Sequence, residues 1–102
     1  MTALRKNAQA EETRFVRQEE LTFRAEARRN ALIGLWAAAL IDRPDAESYA
    51  RDIVDAGVTH PDGVIDRLHS DFEAAGVIFL EDDIRDRMTT MLRALRDEMY
   101  AA

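Results

Sequence analysis

The stretch Phe23-Arg24-Ala25-Glu26-Ala27-Arg28-Arg29-Asn30-Ala31-Leu32-Ile33-Gly34-Leu35-Trp36-Ala37-Ala38 decides how this chain folds. Its first half is strongly charged, its second half is almost wholly apolar, and no breaker residue separates them. Residues 5–41 contain no Pro and a single Gly, and Ala, Arg, Glu and Leu, all good helix formers, prevail. The expectation is one continuous helix whose later half is apolar on most sides, as a central bundle helix must be. Before it, Phe15, Leu21 and Phe23 are sparse apolar points on a charged surface, with little to bury by themselves. One end of such a helix can lie in a core while the other projects into solvent to meet a partner. That asymmetry points to a binding protein. Gly34 costs about 1 kcal/mol against Ala in a helix interior, and the expected return is the close approach of a neighbouring helix.

Working outward, Asp42-Arg43-Pro44-Asp45 is the first break, with Pro44 expected in the first turn of a second helix. Ala46, Tyr49, Ala50, Ile53 and Val54 follow three-to-four spacing, and Gly57 reads as the residue that closes this helix. Pro61 opens a third helix, with Val64, Ile65, Leu68, Phe72 and Ala75 as its stripe and Gly76 as its end. Val77 to Leu80 reads as a buried connector, because a lone strand of that length has no partner in the sequence. Glu81-Asp82-Asp83 favours a helix N-terminus through the backbone dipole. Ile84, Met88, Met91, Leu92, Leu95 and Met99 then form the apolar stripe of the last helix. The fold class expected is all-α: a four-helix bundle with an extended N-terminal helical arm. Residues 1–30 read as the charged arm, partly disordered when free, and residues 31–102 as the helical bundle body.

Charge follows the same division. Residues 1–30 carry seven basic and five acidic side chains, whereas residues 31–102 carry seven and fifteen, for a net charge of −6. A pI near 4.8 argues against nucleic acid, whose binding depends on neutralised phosphates. The longest apolar run, Ala31 to Ile41, spans 11 residues, against the roughly 20 a membrane span needs. The N-terminal residues lack the apolar core of a signal peptide. A soluble, cytoplasmic protein without membrane insertion is the expectation.

The search for chemistry is largely negative. Without cysteine, disulfides, thiolate catalysis and Cys-based zinc sites are excluded. Ser48 and Ser70 lack the glycine-flanked setting of a nucleophile elbow. None of the glycines belongs to a phosphate-binding pattern, so no motif supports an adenine nucleotide, and no cofactor is expected. Asp62, Asp66 and His69 share a helix flank at metal-compatible spacing, but a solvated face is the preferred reading, without a second His or a His-Glu-x-x-His motif. His60, beside Pro61, reads as a cap or a solvent-facing residue. Trp36 reads as a core anchor with no exposed face. Catalysis is not expected. Arg24, Arg28 and Arg29 form a basic strip with two readings: intrahelical pairing with Glu20 and Glu26, or an electrostatic landing patch for an acidic partner.

The run from Glu19-Glu20-Leu21 through the Ala-Glu-Ala-Arg-Arg-Asn word at Ala25–Asn30 to the Gly-Leu-Trp-Ala-Ala word at Gly34–Ala38 resembles the zeta subunit family, small natural inhibitors of bacterial F-type ATP synthases. Asp45-Ala46-Glu47-Ser48-Tyr49-Ala50 looks like the opening of that family's second helix, and Ala74-Ala75-Gly76-Val77 like its junction into the last. The resemblance implies a regulatory subunit that binds the catalytic head of the ATP synthase through its N-terminal arm and blocks ATP hydrolysis. It would then sit peripherally on the cytoplasmic face of the inner membrane. On this reading Phe15, Leu21 and Phe23 supply apolar contacts, while Arg14, Arg17, Arg24, Arg28 and Arg29 steer and hydrogen-bond. The chain departs from the family at its tip. Leu4-Arg5-Lys6-Asn7-Ala8 replaces an aromatic and acidic run, and Glu11 stands where the family has a further Phe ahead of the one matching Phe15. Weakened inhibition is the consequence expected, and a non-inhibitory structural or adaptor bundle of the same family is the alternative.

Overall fold

The computed structural model describes residues 2–101, with side chains described from residue 10 onward. The tip segment Leu4–Ala8, on which the departure from the family partly rests, therefore lies outside the described side chains. Four helices follow in order: α1 (Thr2–Leu40), α2 (Ala46–Thr59), α3 (Gly63–Ala75) and α4 (Glu81–Ala101), with no strand among the described residues. The all-α bundle with a projecting helical arm is what the sequence led us to expect. α1 packs against α2 and α4, α2 against α3, and α3 more lightly against α4.

The molecule measures 65 × 25 × 24 Å, with a radius of gyration of 17.5 Å. A compact chain of this length would have about 13 Å. The difference is the arm: at about 1.5 Å per residue, α1 alone accounts for most of the long axis. Every residue from Ala10 to Glu20 is exposed, and burial begins at Leu21, Thr22 and Ala25.

The core lies where the later half of α1 meets the other three helices. Ile33, Ala37 and Ala38 of α1 pack with Tyr49, Ile53, Val64, Ile65, Leu68, Phe72, Ile84 and Met88. The apolar stripes anticipated for α2, α3 and α4 supply these positions, although Val54, Leu92 and Met99 are only partly buried and Ala75 is exposed. α2 crosses α1 at Gly34, where an added Cβ would stand 2.8 Å from the Ala50 Cα. Close approach is therefore the return for that glycine.

Local details correct several expectations. Gly57 does not close α2; it lies inside the helix, against the Asn30 side chain, and α2 runs on to Thr59. His60 ends the helix in extended backbone (φ −152°, ψ 141°), the conformation that the following Pro61 favours. Its exposed side chain accepts the Asp62 N–H at Nδ1 (3.1 Å), a turn bond just ahead of α3 that caps none of its first-turn N–H groups. Neither proline lies in a first turn: Pro44 and Pro61 each precede the capping residue, Asp45 and Asp62. Gly76 does end α3, at φ 70°, with the Val77 N–H bonded to the Phe72 carbonyl at 2.9 Å. α1 closes with the same bond pattern, Arg43 N–H to Ala38 carbonyl at 2.9 Å, but there Asp42 takes the positive φ of 58°. Asp is among the few non-glycine residues that tolerate this region.

The connector Val77–Leu80 is only half buried. Val77 and Phe79 turn inward, whereas Leu80 is exposed and Ile78 fully so (100%). Trp36 is likewise partly exposed: one edge meets Phe72, with ring centroids 5.8 Å apart, and the Arg87 guanidinium lies 4.5 Å from the indole centre.

Candidate partner-binding surface

The residues expected to meet a partner do not occupy one surface. An α-helix turns about 100° per residue, which places Phe15 and Phe23 within a sector about 80° wide, together with Glu12, Glu19 and Glu26. Arg14, Arg17, Leu21, Arg24 and Arg28 fall in an equally wide sector on the opposite side of α1. Phe15 and Phe23 are 60% and 63% exposed, large values for aromatic side chains. Arg14, Arg17, Arg24 and Arg28 are exposed as well, and Leu21 is half-buried.

Arg29 leaves the basic strip altogether. Its Nε donates to the Asn30 Oδ1 at 2.7 Å, and Asn30 itself is buried. Burial lowers the Arg29 guanidinium below its usual pKa, and the Glu26 charge offsets part of that effect. Arg29 thus belongs to the wall where α1 passes Gly57, Asp62 and Arg85. Neither Glu20–Arg24 nor any other pair within the arm forms an ion pair among the described residues. Of the intrahelical reading, only the influence of the Glu26 charge on Arg29 remains.

Sequence reasoning missed the contribution of α4. Its C-terminal turns lie alongside the base of the arm, where Tyr100 Oη is 3.5 Å from Thr22 Oγ1 and Arg96 Nη2 donates to the same oxygen at 3.3 Å. The Arg96 Nε is buried without a partner among the described residues. Phe15, Thr22 and Phe23 of α1 and Arg96 and Tyr100 of α4 line an open groove of about 630 Å³, with Glu19 and Glu26 along it. No local signal announces this arrangement, because it depends on where α4 ends against α1.

The remaining polar clusters hold the body together. Tyr49, 0% exposed, donates its hydroxyl to Asp71 Oδ2 at 2.6 Å, and Arg67 Nε donates to the same oxygen at 2.8 Å. Arg43 and Arg67 lie against the Tyr49 ring at 4.6 and 5.5 Å. Burial, then the bond to Asp71, raises the Tyr49 phenol above its ordinary pKa, while Arg67 and Arg43 pull the other way. Arg43 grips Asp45 through two bonds of 2.9 and 2.6 Å, and this contact holds the carboxyl below its usual range. Of the metal-compatible trio, Asp62 lies 3.9 Å from Arg85, and His69 pairs with Glu73 at 3.2 Å. Among the described residues no three His, Asp or Glu side chains are grouped to hold a metal, and no described helix is long and apolar enough to cross a membrane.

Curated proteins return no match. The family model for ATPase inhibitor subunit zeta matches residues 1–98, covering the arm, α2, α3 and all but the last turn of α4. With nearly its whole length matched, this helical bundle belongs to the ATPase inhibitor subunit zeta family.

Proposed function

We propose that the protein binds the catalytic head of the F-type ATP synthase through the projecting part of α1 and blocks ATP hydrolysis. The observation that carries this reading is the arm itself, a helix exposed on every side from Ala10 to Glu20, with Phe15 and Phe23 open to solvent. Exposed aromatics of this kind act as anchors when a partner buries them. Membership of an inhibitor family that matches from residue 1 supports assigning the arm that role. When bound, the protein sits peripherally on the cytoplasmic face of the membrane that carries the synthase. In this reading Phe15, Leu21 and Phe23 supply apolar area, and Arg14, Arg17, Arg24 and Arg28 meet acidic groups. Arg29 steers at longer range, because its guanidinium is already engaged with Asn30. Arm and body divide near residue 30 as folding units.

The test is ATP hydrolysis by purified catalytic head with the protein added to saturation. A concentration-dependent fall in rate is expected, and an unchanged rate at saturation removes the inhibitory role. One observation favours a second reading, an adaptor that binds without inhibiting. Glu11 is exposed on the arm, and on the resemblance it stands where family inhibitors have a further Phe. Loss of such an anchor costs on the order of 2–4 kcal/mol of binding. Under this reading the wild type leaves hydrolysis unchanged at saturation, and Glu11→Phe should restore a concentration-dependent fall in rate.

A further inference from the structure

The groove beside the arm has a shape and charge that specify its occupant. α2 runs antiparallel to α1 and touches it at Gly34 and then at Asn30, through Gly57, before ending at Thr59. One turn further along α1, the face that α2 would have covered is bare, and Glu26, Phe23 and Glu19 lie open on it. α4 continues alongside, as the Thr22–Tyr100 and Thr22–Arg96 contacts show. A vacant third-helix position is left between α1 and the end of α4, directly in line with α2. Its apolar content comes from Phe15, Phe23 and Tyr100, all exposed. Its charge comes from Glu19 and Glu26, with Arg96 at the α4 wall held towards Thr22 Oγ1. Glu12, seven residues before Glu19 or about 10 Å along the axis, extends the acidic stripe beyond the groove. None of the three glutamates lies within 4 Å of a basic nitrogen among the described residues.

We propose that this groove seats a basic amphipathic helix of the ATP synthase catalytic head, whose apolar side chains enter between Phe15, Phe23 and Tyr100 while its Lys or Arg residues reach Glu19 and Glu26. Helix-in-groove docking uses just such a stripe of anchors at helical spacing, and complementary charge fixes its register. The inference rests on the reading that the arm engages the head. It adds that the arm and the end of α4 bind together, through the aromatic and acidic face rather than the arginine face alone.

The experiment measures affinity of the full-length protein for purified catalytic head at several salt concentrations. The variants are Glu19→Lys/Glu26→Lys, Phe23→Ala and Tyr100→Ala, with Asp52→Lys/Asp55→Lys, exposed on α2, as the control of equal charge change. All the altered side chains are exposed, and circular dichroism checks that each variant keeps its helix content. The expected result is at least tenfold weaker binding for the Glu pair and for Phe23→Ala, a smaller loss for Tyr100→Ala, and less than twofold change for the control. The deficit of the Glu pair should shrink as salt rises. Unchanged affinity in the groove variants overturns the inference while leaving head binding intact. Equal weakening in the control also overturns it, because net charge alone then explains the effect. A wild-type dimer that the groove variants convert to monomer assigns the groove to a second copy and overturns it too. If the wild-type protein fails to bind the head at all, the parent reading falls and takes this one with it.

Discussion

The two halves of α1 share a backbone and almost nothing else. From Asn30 to Ala38 the helix buries Asn30, Ile33, Gly34, Ala37 and Ala38, and three other helices supply their neighbours. From Ala10 to Glu20 no residue is buried, although Phe15 and Val16 are large and apolar. Helix propensity is similar in both halves, so propensity does not explain the difference. The later half is held by tertiary packing, the usual source of helix stability in proteins. The earlier half carries aromatic area for which the chain supplies no cover. The comparison teaches that residue type is a poor guide to role here: Phe72 and Phe15 are chemically the same side chain in opposite circumstances.

Substitutions that set the halves against each other should sort by burial. Phe72→Ala removes a ring that is fully buried and touches both Trp36 and Phe79 edge-on. A loss of about 3–5 kcal/mol is expected in urea denaturation. Gly34→Ala forces a methyl group against the Ala50 backbone at 2.8 Å and should cost about 1–3 kcal/mol by overpacking. The close approach would be refuted by a neutral result.

Tyr49→Phe deletes the hydroxyl that Asp71 accepts, at a cost of about 1 kcal/mol. It should also change the pH profile. The Tyr49 phenol is raised in the folded state, so its contribution is fully present below its ordinary pKa of about 10. That contribution is lost as pH rises beyond that value, because the unfolded chain releases the proton first. Urea midpoints between pH 8 and pH 11 should fall more steeply for the wild type than for Tyr49→Phe. The smallest effect on stability belongs to the arm. Phe15→Ala should change unfolding free energy by no more than about 0.5 kcal/mol, while, on the function proposed above, weakening binding to the catalytic head. A stability loss comparable to that of Phe72→Ala would mean that the arm is folded into the body after all.

Much of this fold could be read from the chain because each helix advertises itself through short-range rules. The stripes at Tyr49–Ile53, Val64–Phe72 and Ile84–Leu95 are local periodicities, and the break around Pro44 is local chemistry. Gly57 was misjudged because a glycine at a helix end and a glycine beneath a crossing helix look alike until the partner, Asn30, is seen. The connector was misjudged for a related reason. Four apolar residues in a row suggest burial, yet burial alternates along them: Val77 and Phe79 pack inward, whereas Ile78 and Leu80 lie in solvent. At the surface proposed for partner binding, helical arithmetic separates the aromatic face from the arginine face. It does not announce that Arg29 folds back onto Asn30. Nor does it announce that Tyr100, some eighty positions downstream, stands beside Thr22.

The unbroken hydrogen-bond ladder of α1 has a kinetic and energetic corollary. Starting a helix in water is disfavoured by a factor of about a thousand, equivalent to about 4 kcal/mol, whereas lengthening one is nearly free. The segment buried beyond Asn30 is a permanent nucleus for everything upstream of it. Any turn of the arm that frays can regrow from that seed within the time of a molecular encounter. Capture by a partner then requires only elongation, residue by residue, from a template that the bundle already holds in place.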